Sequence, residues 1–354
     1  MDGQNALIPS PSRTLSASGN NEAVNAMSQV FDPTVIGALL GVADADGGPT
    51  SEQLHLIEVL SSSLFPSEAP SLASMPALSP DEAAEAIREP QHRERLVQLA
   101  IVVGFCRHPE TPEQLGRIED LARALDVTGD QIDEMRVLAT RSARQATLDH
   151  VRRYANVLDQ LSEPTLVSAA HGVPDFSVLE TFTTMDEGSL GRAYVDFHRR
   201  NGFAIPGPDT PEPAYYVSHD MNHVIAGYEP TGPGEIALGA FKVAMGDTDA
   251  NWMAFMTNLL IHEFGLMKHG SVEQFVPYGG EIYPDELGQG ALHLPGAPEL
   301  LAEAFARGLA TTIDFSQLDH IAMAPRQLSE LRAEFGVQPR ADGFDGGTGL
   351  SWSS

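Results

Sequence analysis

The sequence predicts an all-α protein made of two helical domains, and three observations lead to this fold class. Apolar residues recur at spacings of three and four, which is the period of an amphipathic helix. A pattern of helix start signals occurs twice in the first half of the chain. No run shows the strong apolar–polar alternation that is typical of a β-strand. A length of 354 residues is sufficient for two domains of ordinary size.

The composition excludes several classes of protein. Hydrophobic residues make up 42% of the chain, enough to build packed cores, which excludes wholesale disorder. The 21 basic and 49 acidic residues give a formal net charge of −28, and such an acidic surface repels nucleic acid. The single cysteine, Cys106, excludes an internal disulfide or a multi-cysteine zinc module and is typical of a reducing compartment.

We expect a cytoplasmic protein without a membrane-spanning segment. The longest apolar run, at residues 96–106, has about eleven residues, whereas a spanning helix needs about twenty. Residues 1–30 lack the basic start and apolar run of a signal peptide and are rich in Ser, Asn and Pro, so we expect a disordered arm there. The glycine-rich tail at 341–354 is expected to be disordered as well.

An internal repeat organises the first predicted domain, residues 31–160. A shift of 61 residues places identical residue types on each other, namely Thr50, Glu52, Gln53 and Leu54 on Thr111, Glu113, Gln114 and Leu115. In both copies the threonine is a predicted helix N-cap, and the glutamate after it matches the positive end of the helix dipole. An apolar run precedes each cap, so two helical hairpins with matching faces would pack about a pseudo-twofold axis.

This first half resembles the TerB-like tellurite-resistance helical domain, whose fold is such a duplicated bundle. The resemblance covers roughly residues 31–150 and implies the fold of the first domain. Asp44 and Asp46 in this half invite a calcium interpretation. Their order lacks the full acidic spacing and the terminal glutamate of an EF-hand loop, so we expect an acidic loop that leads into a helix.

A proline- and glycine-containing stretch at 161–176 is the expected linker between the two domains. The second predicted domain covers residues 165–340. Its helices are separated by glycine- and proline-rich breaks, which lie at 201–213, 229–234 and 277–298.

The second domain carries the most concentrated set of potential metal ligands in the chain. His219 and His223 are four residues apart, so they lie on one face of a helix, and Asp220 can converge with His223. A glycine- and proline-rich turn follows, and a helix–turn–helix would bring Glu235 back beside the histidines. Two imidazoles and two carboxylates suit zinc, iron or manganese, and magnesium less well. The spacing alone leaves open an alternative in which these side chains cap or pair locally and His223 is a core histidine.

The order H-D-x-x-H, eleven residues and then E resembles the signature of the coenzyme Q (ubiquinone) biosynthesis protein 4 family. Three further blocks agree with this resemblance. Residues 191–197 resemble the family's G-x-x-Y-x-x-F helix, residues 234–238 its G-E-x-A-L segment, and residues 328–337 its closing L-x-E-L-R-x-E-x-G-V. The resemblance covers about 165–340, half of the chain, with the motif spacing intact.

The resemblance implies a divalent metal ion held by His219, Asp220, His223 and Glu235, which would also be the catalytic residues. The ion would be zinc, iron, manganese or magnesium. The resemblance also implies a protein peripheral to the inner membrane that works with other ubiquinone-biosynthesis proteins on a prenylated quinone precursor or another isoprenoid lipid. The resemblance does not determine whether the protein forms a homodimer. The usual family member lacks the TerB-like half, and a net charge of −28 is unfavourable at an anionic membrane.

Two roles are proposed for such proteins. The first is metal-dependent oxidative decarboxylation, in which a hydroxyl group replaces the ring carboxylate of a prenylated hydroxybenzoate. The second is a non-catalytic, lipid-binding scaffold of the biosynthetic complex, which needs an apolar groove. Five residues could line that groove, although such a stripe is more often core: Trp252, Phe255, Met256, Leu259 and Leu260.

A second histidine pair is a weaker candidate. His262 and Glu263 lack the second histidine of a zincin helix, because position 266 is Leu266. His262 and His269 could share a helix face near the metal, but we expect solvated or capping roles for them.

Overall fold

The structure is a computed structural model that describes residues 33–64, 71–107, 111–128, 176–207, 214–263 and 290–342. These residues form α-helices and short 3-10 helices without a β-strand, which confirms the predicted all-α class. The predicted arm at 1–30 lies outside the described residues, as do most of the predicted linker and tail. None of the described helices combines the length and apolarity needed to cross a membrane.

The described residues of the first half form five α-helices, which are α1 (Pro33–Ala43), α2 (Ser51–Leu64), α3 (Pro80–Ala86), α4 (Pro90–Phe105) and α5 (Pro112–Ala124). The described residues of the second half form α6 (Ser177–Glu180), α7 (Leu190–Asn201), α8 (Ala214–Ala226), α9 (Gly232–Met245), α10 (Asp249–His262), α11 (Ala297–Ala310), α12 (His320–Met323) and α13 (Leu328–Phe335). The 3-10 helices are Leu72–Ser74, Thr181–Thr184, Ala291–His293 and Phe315–Gln317.

Local sequence explains where several helices begin. The hydroxyl groups of Thr50 and Thr111 each accept a hydrogen bond from a backbone N–H three residues later, at 3.2 Å, as predicted for N-caps of α2 and α5. Thr231 caps α9 in the same way, and a proline follows it in the first turn. Gly202 ends α7 in the left-handed conformation, at a φ of 74°, where glycine carries no steric cost.

The internal repeat is visible as a reciprocal pair of buried glutamines. Gln53 Nε2 donates to Gln114 Oε1 at 2.8 Å, and these residues are 61 apart. Gln53 also donates to the Val103 carbonyl at 3.1 Å, while Gln114 donates to the Val42 carbonyl at 2.9 Å. Because Val42 and Val103 differ by the same shift, each glutamine binds the end of the other copy's first helix. This is the pattern that packing about a pseudo-twofold axis produces.

The two halves share a packed interface. Helix α2 packs against α11, and His55 Nε2 lies 2.9 Å from Glu299 Oε1. Arg95 of α4 forms a buried ion pair with Asp247, just before α10, and its guanidinium lies 5.1 Å from the ring centroid of Trp252. The predicted division into two domains rests on a linker outside the described residues, so that boundary stays a prediction.

Helix α9 is the centre of the second half and determines where the site lies. It packs against both α10 and α11, and all its residues from 234 to 245 are buried. At Gly308 of α11 a Cβ atom would lie 2.4 Å from the Phe241 carbonyl oxygen, so glycine allows α11 to approach α9 closely. The first turn of α9 therefore lies deep in the protein, beside the C-terminal half of α8.

Candidate metal centre

Three side chains from α8 and α9 converge in the interior. His219 Nε2 lies 3.1 Å from one carboxylate oxygen of Glu235, and His223 Nε2 lies 3.1 Å from the other. The two Nε2 atoms are 3.2 Å apart. All three side chains are buried, and among the described residues they form a group able to hold a metal ion.

The turn between α8 and α9 explains this convergence. The His223 carbonyl accepts hydrogen bonds from the backbone N–H groups of Gly227 and Tyr228, and Gly227 has a φ of 80°. At Gly234 a Cβ atom would lie 2.0 Å from the carbonyl oxygen of Glu229, so only glycine fits there. The chain thus reverses tightly and returns Glu235 to the histidines, as the predicted helix–turn–helix requires.

The orientation of His223 suits a metal ligand. Its Nδ1 lies 3.1 Å from the backbone carbonyl of Tyr228, which can only accept a hydrogen bond, so Nδ1 donates. In a neutral imidazole Nε2 then carries the lone pair, and it faces His219 and Glu235. The Phe197 ring stacks on the His223 ring at 5.7 Å and restricts its rotation.

Burial and charge act in opposite directions on these side chains. Burial lowers the pKa of His219 and outweighs the attraction of Glu235 for the charged imidazole. Burial also opposes the charged form of His223, but the charge and hydrogen bond of Glu235 and the charge of Asp220 leave that pKa raised. Burial would raise the pKa of Glu235, yet the two imidazoles hold it well below its usual range. Glu235 is therefore an anion, the form in which a carboxylate binds metal.

Asp220 has a different partner. Its Oδ2 lies 2.8 Å from Nε2 of His198, a buried residue of α7. This contact does not have the geometry of a hydrogen bond, and it is an ion pair only when the His198 imidazole carries both protons. The structure thus brings together three of the four predicted ligands, and ligation by Asp220 stays a prediction.

Sequence reasoning missed His198, and it included Tyr194 in the G-x-x-Y-x-x-F block without predicting a place for it beside the site. The two rings lie 4.3 Å apart on α7, and the Tyr194 hydroxyl is buried with no hydrogen-bond partner among the described residues. Burial raises the pKa of Tyr194 well above its usual value, and the charge of Asp220 adds to this effect. The one available signal was a tyrosine and a histidine four residues apart, on the same face of a helix.

Two buried arginines bind the end of α8, and the sequence predicted this contact for neither, although Arg332 lies in the block at 328–337. Arg332 donates to the carbonyls of Val224 and Ile225 at 2.8 and 3.0 Å. Arg307 donates to the Ala226 carbonyl at 2.8 Å and to the Tyr228 hydroxyl at 2.6 Å. These contacts satisfy the last carbonyls of the helix that carries both histidines.

The remaining predicted residues lie in the core or at the end of α10, where they are described. Four of the five groove candidates are core residues, namely Trp252, Phe255, Met256 and Leu259, each 2% exposed or less. The side chain of Leu260 and all of His269 lie outside the described residues. Glu263 is buried and accepts a hydrogen bond from the Leu292 backbone at 2.7 Å, and His262 lies beside Gly232 at the start of α9.

Known proteins offer little similarity to this chain. No model of a known protein family matches it, and no curated protein does. Among solved structures, it is similar to a Nostoc punctiforme protein whose assignment to ubiquinone biosynthesis is itself provisional. The two are 15% identical over 70% of this chain and 97% of that chain, with a TM-score of 0.32. A likeness of this size carries no argument about fold or function, and the TerB-like resemblance of the first half stays a prediction.

Proposed function

We propose that this protein binds one divalent metal ion through His219, His223 and Glu235 and acts on a prenylated aromatic acid of ubiquinone biosynthesis. The observation that carries the proposal is the buried convergence of these three side chains. The substrate class comes from the resemblance of the H-D-x-x-H…E motif and its flanking blocks. Contacts with other ubiquinone-biosynthesis proteins and a peripheral position at the inner membrane belong to the same proposal.

The donor atoms fit such an ion. Ligands of one ion with bonds of about 2.1 Å lie roughly 3.0–3.4 Å apart, and the separations here are 3.1 and 3.2 Å. Two imidazoles and one carboxylate are the ligand set of many catalytic zinc sites and of non-haem iron sites. A three-ligand set leaves coordination positions for water or substrate, whereas structural zinc sites use four protein ligands.

The proposed reaction is oxidative decarboxylation of a prenylated hydroxybenzoate. The bond between the ring and its carboxylate breaks, carbon dioxide leaves, and one atom of dioxygen becomes the new hydroxyl oxygen. The second oxygen atom becomes water, with two electrons and two protons from an external reductant. A bound ion supplies positive charge that neutralises and orients the substrate carboxylate and phenolate.

The protein's own residues provide position and exclude water. Glu235 presents its two oxygens to the two histidines, and the Tyr228 carbonyl and the Phe197 ring fix the His223 imidazole. Burial of all three ligand side chains removes competing solvent and strengthens each charge interaction.

A turnover assay tests the proposal. The full chain is loaded anaerobically with Fe²⁺ or Mn²⁺ and mixed with a prenylated hydroxybenzoate, a reductant and air, and the released carbon dioxide is measured. We expect turnover in wild type and a loss of at least a hundredfold in His223→Ala, since a ligand is removed. His55→Ala, which removes an exposed histidine, is the matched control and should retain full activity.

The non-catalytic lipid-binding scaffold is the second role implied by the resemblance. No observation on the described residues favours it, because the groove candidates on α10 that are described lie in the core. Metal binding without turnover for any prenylated acid would replace the enzymatic proposal with this one.

A further inference from the structure

Helix geometry separates Asp220 from the two histidines of α8. Successive side chains on an α-helix are rotated by about 100°, so Asp220 lies about 80° from the line midway between His219 and His223. That direction faces α7, which packs against α8. A carboxylate at this position needs a partner on α7 if it is to stay out of the metal centre.

His198 is that partner, and its own position is fixed. Its Nδ1 contacts the Ala204 carbonyl at 3.0 Å, which turns Nε2 towards Asp220 Oδ2 at 2.8 Å. The imidazole is also packed between aromatic rings, with Tyr194 at 4.3 Å and Phe203 at 6.0 Å. The side chain of His198 is only 4% exposed, so it has little freedom to release the carboxylate.

The charge of the centre depends on where Asp220 lies. A divalent ion with one carboxylate ligand, Glu235, keeps a net charge of +1, whereas ligation by Asp220 would reduce it to zero. An ion with positive charge and open positions binds an anionic group more strongly. The same carboxylate would also occupy a coordination position that a ligand could use.

We propose that His198 is a positioning residue that holds Asp220 out of the metal coordination sphere, and thereby selects an anionic ligand such as a carboxylate. This inference rests on the proposed metal site. It assigns a role to a histidine outside the H-D-x-x-H motif. Asp220 is then a carboxylate that lies beside the coordination sphere without binding the ion.

The test uses the full chain loaded with Co²⁺, whose visible absorption reports the ligand set, and 4-hydroxybenzoate as the anionic probe. In Asp220→Asn we expect one Co²⁺ per chain and the wild-type band positions, with metal affinity lowered by about 10–100-fold at most. Asp220→Asn that loses Co²⁺ as completely as Glu235→Gln does would overturn the proposal. Retention of Co²⁺ by both Glu235→Gln and His223→Ala would instead contradict the metal site itself.

The second arm is a rescue experiment, with folding checked by circular dichroism. In His198→Leu the freed Asp220 carboxylate competes for the ion, so we expect altered Co²⁺ bands and an affinity for 4-hydroxybenzoate at least tenfold lower. In His198→Leu/Asp220→Asn no carboxylate is left to compete, and both properties should return towards wild type. A double variant no better than His198→Leu means that His198 has only a structural role, and the proposal fails.

Discussion

At the scale of single residues, the buried polar side chains around the candidate metal centre differ in how well they are hydrogen-bonded. Tyr228 is well bonded, because its hydroxyl accepts from Arg307 at 2.6 Å. Tyr194 is equally buried, but its hydroxyl has no hydrogen-bond partner among the described residues. A buried hydroxyl without a partner carries a desolvation cost that no bond offsets.

Tyr194→Phe should therefore change the free energy of unfolding by less than about 0.5 kcal/mol, or stabilise the protein. Tyr228→Phe is the matched control and should destabilise by about 1–2 kcal/mol, since it removes a bond to a charged group. Urea unfolding of wild type and both variants measures these changes in the free energy of unfolding. A loss above about 1 kcal/mol in Tyr194→Phe would indicate that water or a ligand binds this hydroxyl.

Lys242 gives the protein a specific pH dependence. Burial lowers its pKa from 10.5 to about 8, against the opposing charges of Asp314 and Glu235. The unfolded chain therefore holds more protons than the folded one between about pH 8 and pH 10.5, and stability rises with pH across that window. At about 1.4 kcal/mol for each pH unit, this window corresponds to a few kcal/mol of stability.

Lys242→Met should accordingly be more stable than wild type at pH 7 by a few kcal/mol. The difference in the free energy of unfolding between the variant and wild type should be smaller at pH 9.5, because wild type gains the stability that the variant already has. Denaturant unfolding of both proteins at the two pH values measures this. If the difference in the free energy of unfolding is the same at both pH values, Lys242 is not the cause of the pH dependence.

The candidate ligands on α8 and just after its turn could be predicted from the sequence, whereas the neighbours of Asp220 could not. His219 and His223 follow from helical spacing, and Glu235 follows from the length of a glycine-containing turn. The contact with His198 depends on how α7 packs against α8, and no spacing along the chain indicates it. The sequence therefore placed Asp220 with the nearest histidines, while the structure places it beside one on another helix.

At the scale of elements, α8 must end at a fixed place, because the turn after it positions Glu235. Its last carbonyls accept hydrogen bonds from Arg307 and Arg332, which come from α11 and α13. Both arginines are buried, so water cannot replace their N–H groups easily.

Arg332→Met should destabilise the protein by about 2–4 kcal/mol, because two buried carbonyls lose a charged donor. We also expect metal affinity to fall, since the turn before Glu235 loses its support. Arg123→Met, on the exposed side of α5, should stay within about 0.5 kcal/mol of wild type. Unfolding curves together with a metal titration test this, and weakened metal binding in the Arg123 variant would argue against a specific role of Arg332.

Helix starts could be predicted from threonine caps and prolines, because these signals act within one turn. The binding of α8 by Arg332 could not be predicted, since its acceptor carbonyls lie 107 and 108 residues away in the chain. The stripe on α10 shows the same limit. Its apolar period favours a core but is also compatible with a groove, and the packing of α10 against α9 establishes that its described residues are core.

At the scale of the whole molecule, the two halves are held together by the packing of α2 against α11 and by the buried ion pair of Arg95 with Asp247. Asp247 also accepts a hydrogen bond from the indole of Trp252 at 2.9 Å. The repeat could be predicted from the sequence, because its shift of 61 is shared by Gln53 and Gln114. The docking of the halves could not, because neither half carries a local signal for the other.

Asp247→Ala should destabilise the protein by about 3–5 kcal/mol, since it leaves the Arg95 charge buried without this acid. Asp120→Ala, which removes an exposed partner of Arg123, should cost less than about 1 kcal/mol. Because the interface couples the halves, we expect one unfolding transition in wild type by calorimetry. Two separate transitions in wild type would mean that the halves fold independently.

The central claim is that His219, His223 and Glu235 hold a metal ion, and metal content tests it most directly. Full-length protein, purified without chelators, is analysed by inductively coupled plasma mass spectrometry beside Glu235→Gln and the exposed control Glu299→Gln. We predict close to one equivalent of a divalent metal in wild type and in Glu299→Gln, and almost none in Glu235→Gln. Equal metal content in all three proteins, or none in wild type after incubation with zinc, iron or manganese, would contradict the account.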